Sequence, residues 1–370
     1  MLAKQMNMRF AAQLLFLVLG ASGGLFVAGY THVYVDSTPP ITGWVKDYIP
    51  PFWRQDNSFQ MSTSQICAEW NNFYDSESYI TSYRVGVGTT PGANDTVEFE
   101  RHSSNTKWSC MYAALQHNVT YFSTVVAVNL LNLSSSLTSN GILVDSTPPV
   151  AGIIIDTNSA SGVQDENYTG QQASIYARWK DFDDPESGIK DFSLDVIING
   201  RTTLSKTKIS AHAGDFADHT SSLRHNDFVV VELHAHNRAG GTTSVRSNGI
   251  RVDHTLPVML EIKPANGTTT QQRRDVLDFV WKFKDPESGI DEFRVTVMKQ
   301  YSLYKTRIWP ASRYGSAIFV NERPRPSTVE HQLHLQNLTL QRGASYFVRV
   351  LALNGARLGI TRESTKVKIL

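Results

Sequence analysis

The chain has 370 residues, with 35 basic against 34 acidic side chains and a net charge of +1, so no global charge draws it toward nucleic acid or an anionic surface. A hydrophobic content of 41% suits a globular chain of two or three domains. The 14 Pro and 24 Gly, among dense Ser, Thr and Asn, favour short strands and many turns.

In chain order, Lys4 and Arg9 flank an apolar run from Phe10 to Ala28, broken by Gln13 and Gly23-Gly24. This is the layout of a signal peptide, with cleavage after Gly23 or Gly29. The run is also nearly long enough to cross a bilayer as an apolar helix, so an uncleaved signal anchor is the alternative, its basic flank cytoplasmic. Under either reading residues 1–30 are a signal peptide or anchor. The rest is then expected outside the cytosol, secreted or on the outer side of the plasma membrane. Six Asn-x-Ser/Thr sequons agree with that placement, at Asn94, Asn118, Asn132, Asn167, Asn266 and Asn337. Cys67 and Cys110 are the only cysteines. In a secreted chain they favour one bridge, whose closed loop is worth about 4 kcal/mol; two free buried thiols are the alternative.

Four phrases recur. "VDSTPP" begins at Val35 and Val144, and "VDHTLP" at Val252, so the copies are 109 and 108 residues apart. "WNNFYDSESYITSY" from Trp70, "WKDFDDPESGIKDF" from Trp179 and "WKFKDPESGIDEF" from Trp281 keep nearly the same time. So do "YFSTVVAVN", "VVVELHAHN" and "YFVRVLALN", which end at Asn129, Asn237 and Asn354, while "SNGI" occurs at Ser139 and Ser247. Ahead of each Trp, apolar residues alternate with polar ones: Ile66 and Ala68, Ile175 and Ala177, Leu277 and Phe279. That period marks a strand buried on one face. The late strands alternate too, through Tyr121, Val125 and Ala127, through Val231, Leu233 and Ala235, and through Val348, Val350 and Ala352. The reading is all-β: three tandem immunoglobulin-like sandwiches after an N-terminal apolar helix. They are expected at 31–145, including a remnant strand at 31–36, then 146–253 and 254–370. The first VDSTPP has no Trp strand before it, so 31–36 reads as the last strand of a sandwich whose body lies elsewhere, as in a fragment of a longer array.

These features resemble the fibronectin type III family. Trp70, Trp179 and Trp281 match its core Trp, each followed by an aromatic, Tyr83, Phe192 or Phe293. Tyr121 and Tyr346 fall at its corner tyrosine, whose hydroxyl bonds back to the backbone; Val229 stands there in the second repeat, so that bond is expected to be missing. With its D-x-E-S-G-I and VDxTPP phrases, the chain resembles a variant found in animal extracellular and membrane proteins. The resemblance implies a non-enzymatic adhesion, matrix or receptor-ectodomain role, with other extracellular proteins or glycans as partners. It implies no cofactor and no nucleic acid, and membrane contact only through the N-terminal segment.

In DPESGI, Pro185 and Pro286 fix φ and Gly188 and Gly289 permit a left-handed residue. The segment reads as a rigid turn whose Ile80, Ile189 or Ile290 enters the core. Asp183, Asp184 and Glu186, with Asp285 and Glu287, are weak calcium candidates, because calcium needs six to eight oxygens. VDxTPP reads as a stiff hinge. His234 and His236 share one face of a strand and are weak zinc candidates, lacking a third ligand in sequence. From Lys299 to Arg325, basic residues interleave with Tyr301, Tyr304, Trp309 and Tyr314. Lys305, Arg307 and Arg313 there are candidates for binding a heparin-like glycan. A glycan- or metal-binding module is therefore the runner-up. No Gly-x-Ser-x-Gly, P-loop or His-Glu-x-x-His motif occurs, and no enzyme is expected.

Overall fold

The computed structural model describes residues 35–50, 55–219, 222–311 and 315–370, together with the backbone of four short N-terminal strands. The apolar run expected to be a helix at the N-terminus is described only in part. Where its backbone is described it is extended: Phe10–Leu14 pairs with Thr31–Tyr34, and Leu17–Leu19 with Leu25–Val27. Within the segment read as a remnant strand at 31–36, Thr31–Tyr34 is extended and pairs with Phe10–Leu14. Among the described residues no helix is long and apolar enough to cross a membrane.

The rest is all-β, and each repeat contributes a small and a large sheet. In the first, Trp44–Tyr48, Gln65–Asn71 and Trp108–Tyr112 form a three-stranded sheet. Against it lies a sheet centred on Ile80–Gly88 and Thr120–Asn129, with Val97–Ser103 on one side and Ile142–Val144 and Ser134–Thr138 on the other. The second repeat matches it strand for strand, with Ile153–Thr157, Ile175–Lys180 and Asp215–Asp218 against a sheet centred on Ile189–Ile198 and Phe228–Asn237. In the third, Val258–Pro264, Leu277–Lys284 and Thr328–Leu335 oppose Ile290–Tyr301 and Ser345–Asn354 and their neighbours. The packing divides into two compact units, residues 1–150 with 183–190 and 236–243, and residues 151–182 with 191–235 and 244–370.

The alternating residues face inward as their period requires. Trp70 and Trp281 are fully buried and Trp179 nearly so, each edge-on or tilted against its aromatic Tyr83, Phe293 or Phe192. Val125, Ala127, Val231, Leu233, Ala235, Val348, Val350 and Ala352 are buried from the opposite sheet. The corner tyrosines behave as the resemblance implies. Tyr121 Oη accepts from the Gln116 N–H at 2.9 Å and Tyr346 Oη from the Gln341 N–H at 2.8 Å. In the second repeat the Asp227 carboxylate accepts from the corresponding Arg224 N–H at 2.7 Å, so a second side chain fills the role that Val229 cannot. Of the turn isoleucines only Ile290 is fully buried; Ile80 and Ile189 are half-buried.

Two repeats carry a glycine eight residues after the linker valine. A Cβ at Gly43 would sit 1.8 Å from the Asn71 carbonyl oxygen, and one at Gly152 2.2 Å from that of Lys180. The third repeat has Leu260 there, and its ladder shifts register between Met259 and Glu261.

Candidate functional site

The recurring phrases converge on one buried polar node, built three times. In the first repeat Asn129 Nδ2 donates to Asp36 Oδ2 at 2.6 Å and to Asp75 Oδ2 at 3.1 Å, and Ser78 Oγ also donates to Asp36. In the second, Asn237 Nδ2 donates to Asp145 and Asp184 at 3.0 Å each, and Ser187 Oγ to Asp145 at 2.6 Å. In the third, Asn354 Nδ2 donates to Asp253 at 3.1 Å and Asp285 at 3.0 Å, and Ser288 Oγ to Asp253 at 2.6 Å. The asparagines are fully buried. Each Asn Oδ1 accepts backbone N–H groups of the next hairpin: Leu131 and Leu133, Gly241, or Ala356 and Leu358. One amide therefore ties linker, turn and hairpin together, and its buried carboxylates are hydrogen-bonded, as burial demands.

The node explains the linker. Val144 and Val252 are fully buried in the core of the repeat they close, and the next residue enters the node of the repeat that follows. Successive residues of an extended chain point to opposite sides, so two letters anchor the phrase in both neighbours. The first copy splits these roles. Val35 is 48% exposed, whereas Asp36 is buried in the node of the repeat after it. The linker aspartate thus belongs to the following sandwich.

The calcium candidates belong to this node or its rim. Asp184 accepts from the Ser187 and Gly188 N–H groups as well as from Asn237. Burial pushes its carboxyl up, but these donors outweigh it and hold its pKa below the usual range. At Asp285 burial prevails, helped by nearby Asp253 and Glu287, and the pKa is raised. Asp183 is exposed and accepts from the Asp184 N–H. Glu186 lies 3.5 Å from His117, and Glu287 accepts from Thr255 Oγ1 at 3.3 Å. One oxygen each from Asp145, Asp184 and Glu186 lies within 4.8 Å of the others, and Asn237 and Ser187 donate into the Asp145–Asp184 pair. Gly188 and Gly289 hold φ of 75° and 71°, as the turn reading expects.

A buried carboxylate on the first strand of the small sheet occurs in the first and second repeats. Asp47 accepts from Ser123 Oγ and the Gly141 N–H, and Asp156 from the Gly249 N–H. Ser139 and Ser247 also hydrogen-bond to Asp47 and Asp156, respectively. This is the use of SNGI: its Ser and Gly hold an aspartate of the opposite sheet. Burial raises both pKa values to about 6, with Asp56 and Asp165 adding to the shift. The third repeat has Pro264 at the corresponding place, and Ser364 Oγ donates to the Thr365 carbonyl instead.

The zinc candidates each hydrogen-bond a hydroxyl on the adjoining strand: His234 Nδ1 with Ser244 Oγ at 2.6 Å and His236 Nδ1 with Thr242 Oγ1 at 2.9 Å. His234 also faces Asp195 and Glu232, which sequence spacing did not reveal because Asp195 comes from another strand.

The basic stretch of the third repeat is largely spent internally. Arg325 is 5% exposed and binds Glu166 at 3.0 Å and Asp291. Arg323 binds Glu166 at 2.9 Å. Lys305 lies 3.5 Å from Glu363 and over the Phe347 ring, and Arg307 Nη1 donates to the Gly315 carbonyl. Arg313 and Tyr314 lie outside the described residues. Tyr301, Leu303 and Tyr304 form an exposed hairpin tip.

Cys67 and Cys110 are bonded, directly opposite one another on neighbouring strands of the small sheet. The six sequon asparagines are all exposed.

No known protein-family profile matches the chain, and no curated protein matches it in sequence. Among solved structures it is similar to the FN1–FN3 domains of chicken CNTN1, at 13% identity and a TM-score of 0.31, covering 88% of this chain and 98% of that one. It is also similar to the fibronectin(III)-like modules of Clostridium thermocellum CbhA, at 12% identity and a TM-score of 0.32, over 57% and 94% of the two chains. A third is a Ca2+-stabilized adhesin with which an Antarctic bacterium binds ice, at 10% identity and a TM-score of 0.32, over 89% and 74%.

Proposed function

We propose that this chain is a non-enzymatic extracellular protein that acts through protein–protein contacts made by the faces and loops of its sandwiches. The observation that carries this reading is the threefold node. The residues repeated most faithfully are spent on joining one sandwich to the next, not on lining a catalytic pocket. The Cys67–Cys110 bridge and six exposed sequons support an oxidising, glycosylating compartment. For the glycan-binding alternative, the described residues offer an exposed aromatic hairpin, Arg307, and Lys305 beside Glu363.

The test is expression of the full chain in secreting animal cells. We expect an oxidised product, by thiol labelling, whose mass falls on enzymatic removal of N-glycans. We also expect cell-surface proteins to be captured by cross-linking to the folded chain and released when it is unfolded. A cytosolic product with both thiols free would overturn the compartment, and a folded chain that captures no surface protein would overturn the contact role.

A further inference from the structure

The outer face of the large sheet in the second repeat carries a second cluster, distinct from the linker nodes. Asp195 lies on Ile189–Ile198, and Glu232 and His234 on Phe228–Asn237. One ligand atom from each of the three lies within 4.8 Å of the others.

Three observations separate this cluster from an incidental ion pair. First, His234 Nε2 is sealed from solvent, and Asp195 Oδ2 meets it only at 3.5 Å, the outer edge of hydrogen-bond range. A buried ring nitrogen met so loosely forfeits much of a hydrogen bond, on the order of 1–3 kcal/mol, which a bound ion would offset. Second, the other ring nitrogen is held by Ser244 Oγ at 2.6 Å, which fixes the ring with Nε2 toward the carboxylates. A hydrogen bond to the second nitrogen is the usual support of a metal-ligating histidine. Third, His234 Nε2 stands 3.5 Å from Asp195 Oδ2. Two ligands of a tetrahedral zinc ion, each about 2.1 Å from it, lie about 3.4 Å apart. That spacing is long for a hydrogen bond and right for two ligands sharing one ion. The carboxylates are oriented as well: Asp195 Oδ1 accepts from the Lys206 N–H, leaving Oδ2 for the cluster, and Arg246 holds Glu232 at 3.1 Å. The linker nodes differ in kind, because there asparagine and serine donors fill the space between the acids.

We propose that Asp195, Glu232 and His234 form a binding site for a divalent transition-metal ion such as zinc. Imidazole nitrogen with two carboxylate oxygens is a borderline donor set that suits zinc better than calcium. Three protein ligands leave a fourth position open on the sheet surface, where a carboxylate or imidazole of a partner protein can complete the coordination.

The experiment is calorimetric titration of the full, oxidised chain with Zn2+, repeated with Co2+ to read the visible absorption of a tetrahedral site. We expect one saturable site per chain. His234→Ala and Asp195→Asn should each remove it, Glu232→Gln should weaken it at least tenfold, and His236→Ala should leave it intact. Glu232→Gln changes a partly exposed side chain, so a metal-free melting profile like that of the parent separates lost binding from lost folding. No saturable binding by the parent chain, or binding that survives His234→Ala, overturns the site. Equal loss on His236→Ala also overturns it, in favour of a histidine pair.

Discussion

Two kinds of buried aspartate organise this protein, and they differ in what surrounds them. The linker aspartates Asp36, Asp145 and Asp253 each meet a serine hydroxyl and an asparagine amide whose other contacts fix a turn and a hairpin. The strand aspartates Asp47 and Asp156 meet a few donors from the facing sheet and lie near a second acid, and their pKa values rise to about 6. The first kind occurs in all three repeats and the second in two. A node that joins neighbouring sandwiches has no simple apolar substitute, because the chain must leave one core and enter the next within two residues. An acid tying the two sheets of one sandwich does have one. The third repeat places Pro264 there and closes around a core of Phe279, Trp281, Phe283 and Phe293.

The sharpest way to break this comparison is Asn354→Ala. It leaves Asp253 and Asp285 buried without their shared donor, and should cost about 3–5 kcal/mol in the unfolding of the third repeat, read by calorimetry of the full chain. A loss below about 1 kcal/mol would mean that the node is not what holds the linker.

The strand acids give an effect of intermediate size with a defined pH window. Their folded pKa of about 6 lies above the ordinary value of 3.8, so the native state holds extra protons between those limits. The stability they cost therefore grows as pH rises from about 4 to 6 and is fully felt above 6, approaching about 3 kcal/mol per group. Melting temperature should rise as pH falls from 7 to 5, and a variant carrying both Asp47→Asn and Asp156→Asn should show a flatter profile. Equal slopes in parent and variant would remove these two groups as the cause.

The smallest effect concerns the corner. Tyr346→Phe removes one hydrogen bond to the Gln341 N–H and should cost about 1 kcal/mol. Asp227→Ala should cost a similar amount in the second repeat if its carboxylate truly replaces the missing hydroxyl. No change on Asp227→Ala would show that this repeat closes its corner by packing alone.

Much of the fold was legible in the residues. Period-2 alternation ending on Trp70, Trp179 and Trp281 marked the buried strands, because a strand's two faces are fixed by geometry alone. The corner tyrosines came from the resemblance to the fibronectin type III family and not from periodicity. The partners of Asp36, Asp145 and Asp253 were not legible, since each reaches a serine 35 to 42 positions away and an asparagine 92 to 101 away. The one available signal was that the linker, turn and strand-end phrases recur with nearly the same period.

The sequence by itself determined three repeats, their all-β class, the in-and-out order of their strands and the pairing expected of two cysteines. All of these rest on local periodicity or simple counting. Only the tertiary structure decided that VDxTPP divides its valine and aspartate between neighbouring sandwiches. Nor could sequence show that Arg323 and Arg325 bind Glu166, or that Asp195 meets Glu232 and His234. Each of these joins side chains from separate strands or loops, and sequence spacing carries no record of which strands the sheets bring together.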